Sequence, residues 1–329
     1  MEVKKVNIFF PCLLFLYLAL DIGYVVLKKA GVINPPAFFN MIFSELLVLL
    51  IVIIYLLIVR VNPFKEFRIK VVKPLDCILC IISGYLLIPI MMIINVISSL
   101  FTPNYAQTTL SETLSFPFWA QVVMIAVIPA MVEEFTFRGL FYGSYRRNAG
   151  FAAIALSGLL FGCFHLNFNQ CLYATVLGMF FAVISEACGS IVGSMLAHFA
   201  INTYSIGLYE IMKLAGVDID AMLTAASSDS TAVSSVSSVS LISLAISLIF
   251  YLAIAAATTA LAILIIRFVA KRNNNLDHLK EIIRPKSTVR VISDDNQAGK
   301  KEKLFTIPII ASIIACVAYM IFMDFMYHY

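Results

Sequence analysis

Charge is scarce in this chain. Asp, Glu, Lys and Arg make up only 13% of its 329 residues, while 61% are hydrophobic. A soluble domain carries about one quarter charged residues, so this composition, with a mean hydropathy of +0.96, excludes a soluble globular protein. Cysteine is present but not in a framework. All seven (Cys12, Cys77, Cys80, Cys163, Cys171, Cys188 and Cys316) lie inside apolar runs, which argues against a disulfide scaffold or a zinc ribbon. The Cys77-x-x-Cys80 pair reads as part of a packed or lipid-facing helix. There is no internal repeat, no Gly-rich phosphate loop, and no basic and aromatic interleaving that would suit nucleic acid. The formal net charge of +4 reflects loops between apolar runs and gives no reason to expect a nucleic-acid partner.

What is there is a series of long apolar segments. A helix needs about 20 such residues to cross a bilayer. The candidates are residues 7–27, 38–60, 77–101, 117–142, 150–168, 170–188, 190–212, 240–267 and 304–326. They predict an all-α polytopic membrane protein of eight or nine spans, a single membrane domain over 1–329, with the 150–212 stretch hardest to divide. Lys4 and Lys5 before the first run resemble a signal sequence, but no small-residue cleavage site follows, so an uncleaved first span is expected.

Loop charges orient the chain. With the N-terminus cytoplasmic, nineteen of the 23 Lys and Arg fall on inside loops, three (Lys28, Lys29 and Lys213) outside, and Arg138 within a span. Residues 216–239 are rich in Ser, Ala and Asp and read as a flexible outer loop. Residues 268–303 read as a basic cytoplasmic loop that determines topology.

One span is interrupted. Glu133, Glu134 and Arg138 stand together in the apolar run that begins near Pro117. Even lenient insertion scales charge about 2.5–3.5 kcal/mol for an Asp, Arg or Lys at a helix centre. Glu134 and Arg138, at i and i+4, can pair along one helix face, and Glu133, about 100° round, is free to meet another neighbour. His165 and His198 also lie in apolar spans, and Asn202 shares a helix face with His198. About the turn near Ala149, Glu133 lies sixteen residues before and His165 sixteen after, so a hairpin sets both at one level. His198 lies nearer its own turn, Ala187 to Ser190. To reach the others, that turn has to be sunk into the protein or the helices strongly tilted.

A carboxylate, two imidazoles and an amide in a low-dielectric cavity suit hydrolysis by activated water. Glu133 would take the proton with help from His165, and His198 and Asn202 would stabilise the oxyanion. The alternative is one divalent metal such as zinc, held by Glu133, His165 and His198. The HExxH spacing that would make zinc compelling is absent, and no Ser or Cys is placed to act as a covalent nucleophile. Each group alone also fits a structural part: a buried ion pair for Glu134 and Arg138, interhelical hydrogen bonds for the others. Asp21, Glu45, Glu186 and Glu210 are further acids in or near spans, and for Glu186 a capping or rim position is expected.

Glu133-Glu134-x-x-x-Arg138, Phe161-x-x-x-His165 and His198-x-x-x-Asn202, in order on successive spans, resemble the three motifs of the CPBP family. This family of intramembrane proteases includes CAAX prenyl endopeptidases and bacteriocin-processing and immunity (Abi) proteins. The resemblance covers residues 117–205. It implies Glu133 as general base, Glu134 and Arg138 in support, His165 as a second water-activating residue, and His198 with Asn202 binding the oxyanion. Members are described both as metalloproteases and as metal-independent glutamate proteases, so no cofactor is assigned. The implied partner is a membrane-associated peptide or protein substrate in the lipid bilayer, in a bacterial plasma membrane. Leader or bacteriocin-like peptides would then be better substrates than prenylated proteins. A non-catalytic immunity or adaptor protein that binds a peptide, or a proton-coupled transporter, are the competing readings.

Overall fold

The computed structural model describes residues 1–102, 116–147, 150–217, 241–283 and 303–328. Its helices of eight residues or more are α1 (Val3–Lys29), α2 (Ala37–Ile58), α3 (Pro74–Ser99), α4 (Phe118–Tyr145), α5 (Gly150–Phe164), α6 (Phe168–Cys188), α7 (Ile191–Leu214), α8 (Leu241–Arg272), α9 (Leu276–Ile283) and α10 (Ile307–His328). No strand occurs among the described residues. Eight of the helices, all but α5 and α9, are long and apolar enough to cross a membrane, and the chain is an all-α polytopic membrane protein. The Ser-rich stretch beyond Val217, residues 284–302 of the basic segment and the turn at Ala149 lie outside the described residues.

The expected span over 150–168 is the one that shortens. Helix α5 has 15 residues, a rise of about 22 Å at 1.5 Å per residue, against about 30 Å of hydrocarbon. It stops because Leu166 takes a left-handed backbone (φ 53°) and Asn167 caps α6, its side chain accepting from Gln170 N at 3.2 Å. The His165–Asn167 turn therefore lies within the bundle, where backbone polar groups need partners. His165 N and Leu166 N donate to Gly162 O and Cys163 O at 3.2 and 3.1 Å. Asn169 Nδ2 then ties the start of α6 to Ser98 Oγ (2.9 Å) and Ser99 Oγ (2.8 Å) at the end of α3.

Helices α5 and α6 pack as a close antiparallel hairpin. Gly158 and Gly162, one turn apart on α5, face α6, and a Cβ at Gly158 would sit 2.7 Å from Thr175 O. Such small-residue stripes let backbones approach where lipid offers no hydrophobic drive. Half of the residues in the apolar windows of α4 and α6 are buried, against 17% in α1 and α8, so α4 and α6 form the centre.

Proline shapes α3 and α4. Pro89 divides α3 into Pro74–Leu86 and Ile88–Ser99, and Pro129 opens the short α-helical segment Ile128–Glu134 inside α4. That segment is flanked by π-helical turns over Val122–Val127 and Phe135–Tyr142. Single π turns of this kind recur at functional sites, and here they bracket the two glutamates.

The α6–α7 turn is buried, which is the arrangement that His198 required. Gly189 (φ 67°) reverses the chain, and Ser190 caps α7 by accepting from Val192 N at 3.3 Å. Ser190 Oγ also donates to Lys70 O (2.7 Å), Ile191 N donates to Arg68 O (3.2 Å), and Asn275 Nδ2 donates to Ala187 O (3.1 Å). The segment between α2 and α3 and the corner between α8 and α9 thus roof the turn. The described part of the basic segment is not a plain loop: α9 seats Leu279 and Ile282 in the core beside Gly150.

Candidate active site

The α4 register sends Glu134 and Arg138 inward together. Both are buried, and Arg138 Nη1 donates to Glu134 Oε1 at 2.7 Å, the i, i+4 pair that the spacing predicts. His198 of α7 reaches the same oxygen, its Nδ1 lying 3.2 Å away, while its Nε2 lies 3.5 Å from Glu133 Oε2. One imidazole therefore bridges the two adjacent glutamates. Because a carboxylate accepts, His198 Nδ1–H donates to Glu134 Oε1, and Nε2 is the edge turned to Glu133.

Aromatic rings hold this constellation. Phe181 of α6 stacks on His198 (centroids 4.8 Å, 20°), and Phe161 of α5 meets its edge at 5.9 Å. The Arg138 guanidinium lies 4.4 Å from the Phe161 ring centre and 5.1 Å from that of Phe181. Such cation–π contacts gain strength away from water. Gly178 leaves the room, since a Cβ there would lie 2.8 Å from Arg138 Nη2.

His165 enters from the C-terminal end of α5 and Asn202 from the middle of α7. The Nδ1 of His165 is 2.8 Å from Phe161 O, so it donates there and leaves the Nε2 lone pair available. Asn202 Nδ2 donates to Ile125 O at 3.1 Å. That carbonyl is exposed because Pro129, four residues on, has no N–H to offer it. The missing backbone donor on α4 is thus what anchors the Asn202 amide.

Glu133, His165, His198 and Asn202 all line one cavity of about 660 Å³, together with Met91, Tyr173 and Tyr204. The structure brings together all four side chains that the sequence nominated. Glu134 and Arg138 stand behind them and do not line the cavity. Among the described residues no three His, Cys, Asp or Glu side chains converge to hold a metal ion. Glu133 and His198 supply two donors, and His165 does not complete a set with them.

Two acids have places that the sequence did not disclose. Glu45 of α2 lines the same cavity, and with Glu133 it also lines a smaller adjoining space of about 150 Å³. Its signal was its isolation, as the lone carboxylate in a helix of mean hydropathy 2.9. Glu186 is not at a rim. It is 1% exposed and gathers Arg68 (3.0 Å), Arg146 (2.5 Å) and His278 (3.3 Å) around one carboxylate. It fastens the segment before α3, the end of α4 and α9 to α6, and does not line the cavity.

No curated protein and no solved structure matches the chain. Residues 115–204 match the family model described as type II CAAX prenyl endopeptidase Rce1-like, a group within the CPBP family. The match runs from the start of α4 to His198 and Asn202 on α7, and so takes in every motif of the cavity wall. The helices that build this site, residues 115–204 of the chain, are thus similar to the Rce1-like type II CAAX prenyl endopeptidases.

Proposed function

We propose that the protein is an intramembrane endopeptidase that cleaves a membrane-associated peptide or protein by direct attack of water. The observation that carries this reading is the His198 bridge, with Nδ1 on Glu134 and Nε2 facing Glu133, in a cavity shared with His165 and Asn202. Glu133 takes a proton from water as the oxygen adds to the scissile carbonyl, and His165 Nε2 holds that water. The developing oxyanion is met by the second N–H of the Asn202 amide, the first being held by Ile125 O, and by His198 when its ring carries a proton on Nε2 as well as on Nδ1. The C–N bond then breaks, and the proton taken by Glu133 passes to the leaving amine. Arg138 holds the Glu134 carboxylate in place, so that Glu134 fixes the His198 ring.

A mostly apolar cavity among spanning helices suits a substrate that is itself in or on the bilayer. The loop-charge bias supports a cytoplasmic N-terminus, and the short loops suit a bacterial plasma membrane. Leader or bacteriocin-like peptides are the substrates that this setting favours. The test is cleavage of internally quenched apolar peptides by the protein in proteoliposomes, for the wild type, Glu133→Gln and His165→Ala. Hydrolysis by the wild type that both variants lose supports the reading. Equal behaviour of Glu133→Gln and the wild type overturns it, and a peptide-binding immunity or adaptor protein would then lead.

A further inference from the structure

The cavity belongs to one end of the bundle, and two sets of side-chain contacts mark that end. Asn169 Nδ2 ties the start of α6 to Ser98 and Ser99 at the end of α3, and Gln121 Nε2 donates to Glu210 Oε1 at 3.4 Å, joining the start of α4 to the last turns of α7. The cavity wall draws on the same ends. It takes Glu45 from the first half of α2, Asn95 from the end of α3, Met124 from the start of α4, Tyr173 from the start of α6 and Ser205 from the second half of α7. At 1.5 Å per residue these lie about 6–14 Å below the helix ends, with Glu133 and His198 about 22–24 Å below them. Exposure follows depth. Phe161, Leu177, Phe181 and His198 are buried, while Asn95, Tyr173 and Ser205 keep partial exposure.

The opposite end is closed. There Glu186 gathers Arg68, Arg146 and His278, Asn275 helps to roof the α6–α7 turn, and α9 seats Leu279 and Ile282 in the core. None of these residues lines the cavity. The closed end is also the basic one. Its connections hold nineteen of the 23 Lys and Arg, against Lys28, Lys29 and Lys213 at the cavity end. Basic loops stay on the cytoplasmic side, so the closed end faces the cytoplasm and the cavity end faces away from it. A substrate coming from the cytoplasm would have to part the buried Glu186 ion cluster, and one coming from the other side meets only the partly exposed wall.

We propose that the cavity receives its substrate from the extracytoplasmic half of the membrane, so that the peptide cleaved is a segment displayed at that face and not the cytoplasmic tail of a protein. Translocation of the substrate then precedes its cleavage. The proposal rests on the protease reading for there being a substrate at all, and on loop charge and cavity position alone for the accessible side. The two can therefore fail separately.

The experiment has two arms on the full-length protein. In the first, a membrane-impermeant maleimide is applied to intact spheroplasts producing Lys65→Cys, Ser205→Cys or Lys213→Cys, with the wild type and its seven native cysteines as background. Labelling of Lys213→Cys and Ser205→Cys in intact spheroplasts is expected, with Lys65→Cys labelled only after permeabilisation. The reverse pattern for Lys65→Cys and Lys213→Cys overturns the orientation and the proposal with it. Ser205→Cys labelled only after permeabilisation, or not at all, overturns the outward opening. In the second arm, right-side-out and inverted membrane vesicles receive an internally quenched apolar peptide whose charged ends keep it from crossing the bilayer. Cleavage by right-side-out vesicles is expected, with its loss in inverted vesicles and its return when detergent opens them. Cleavage by inverted vesicles alone overturns the proposal. If the wild type and Glu133→Gln behave alike in detergent, the protease reading fails, and the labelling arm still decides which side the cavity faces.

Discussion

His198 Nδ1 and Glu134 Oε1 lie 3.2 Å apart, and the same carboxylate oxygen receives Arg138 Nη1 at 2.7 Å. A charge on α4 thereby sets the ring orientation of a residue on α7, 64 positions later in the chain. Orienting partners of this kind fix which nitrogen of a histidine faces the reaction. Much of the expected behaviour of the site follows from that one oxygen.

Removing the cation should harm folding before it harms chemistry. Arg138→Met keeps the side-chain length but strands Glu134 as an unpaired buried carboxylate, at a cost of about 3–5 kcal/mol. Replacing both partners, as Arg138→Met with Glu134→Leu, should return most of the thermal stability. It should leave the protein inactive, because His198 has lost its orienting acceptor. Thermal unfolding in detergent, followed beside peptide cleavage, separates the two effects.

Asn202→Ala should reveal itself in kcat. Loss of one oxyanion donor costs about 100- to 1,000-fold in turnover, and KM should move little. A KM-dominated effect would instead make Asn202 a substrate-binding residue. A small loss of stability should accompany the change, because Ile125 O loses the partner that Pro129 cannot replace.

Glu186→Ala tests the opposite case, a buried charge with no part in the cavity. Its removal leaves Arg68 and Arg146 facing each other, at a cost of about 3 kcal/mol. The figure is at the low end because the two arginine side chains keep 18% and 22% of their exposure. The melting temperature should drop clearly, while kcat per folded molecule, measured below the transition, should stay near that of the wild type.

Gly178→Ala probes the room left for the guanidinium. The new methyl would meet Arg138 Nη2 at 2.8 Å and Gly158 Cα at 2.9 Å, so either Arg138 or α5 must shift. Overpacking of this sort costs about 1–3 kcal/mol. Cleavage should fall with stability, since Arg138 sets Glu134 and Glu134 sets His198. Unchanged stability and activity would show that α5 and α6 part more easily than their packing implies.

What could be read from the sequence was what is local. The i, i+4 pairing of Glu134 with Arg138 follows from helix geometry, and the common level of Glu133 and His165 follows from counting along a hairpin. The level of His198 could not be read. It depends on burying the Ala187–Ser190 turn, and the groups that bury it, Arg68, Lys70 and Asn275, are distant in the chain. Glu186 misled for the same reason, because a lone acid near a helix end gives no sign of the three basic partners around it. Glu45 stood out only as a costly residue in an apolar helix, and its place with Glu133 in one cavity wall is a fact of tertiary packing. The ninth candidate span failed because apolar composition does not reveal where a helix stops, and α5 ends at the His165 turn.

The measurement that tests hydrolysis by Glu133 most directly compares the membrane peptidomes of cells producing the wild type and Glu133→Gln at matched levels. Peptides cut only in the wild-type sample are expected, and their sequences would name the substrate class. Identical peptidomes, with Glu133→Gln still conferring whatever phenotype the wild type confers, would contradict proteolysis and make peptide binding the better account of the cavity.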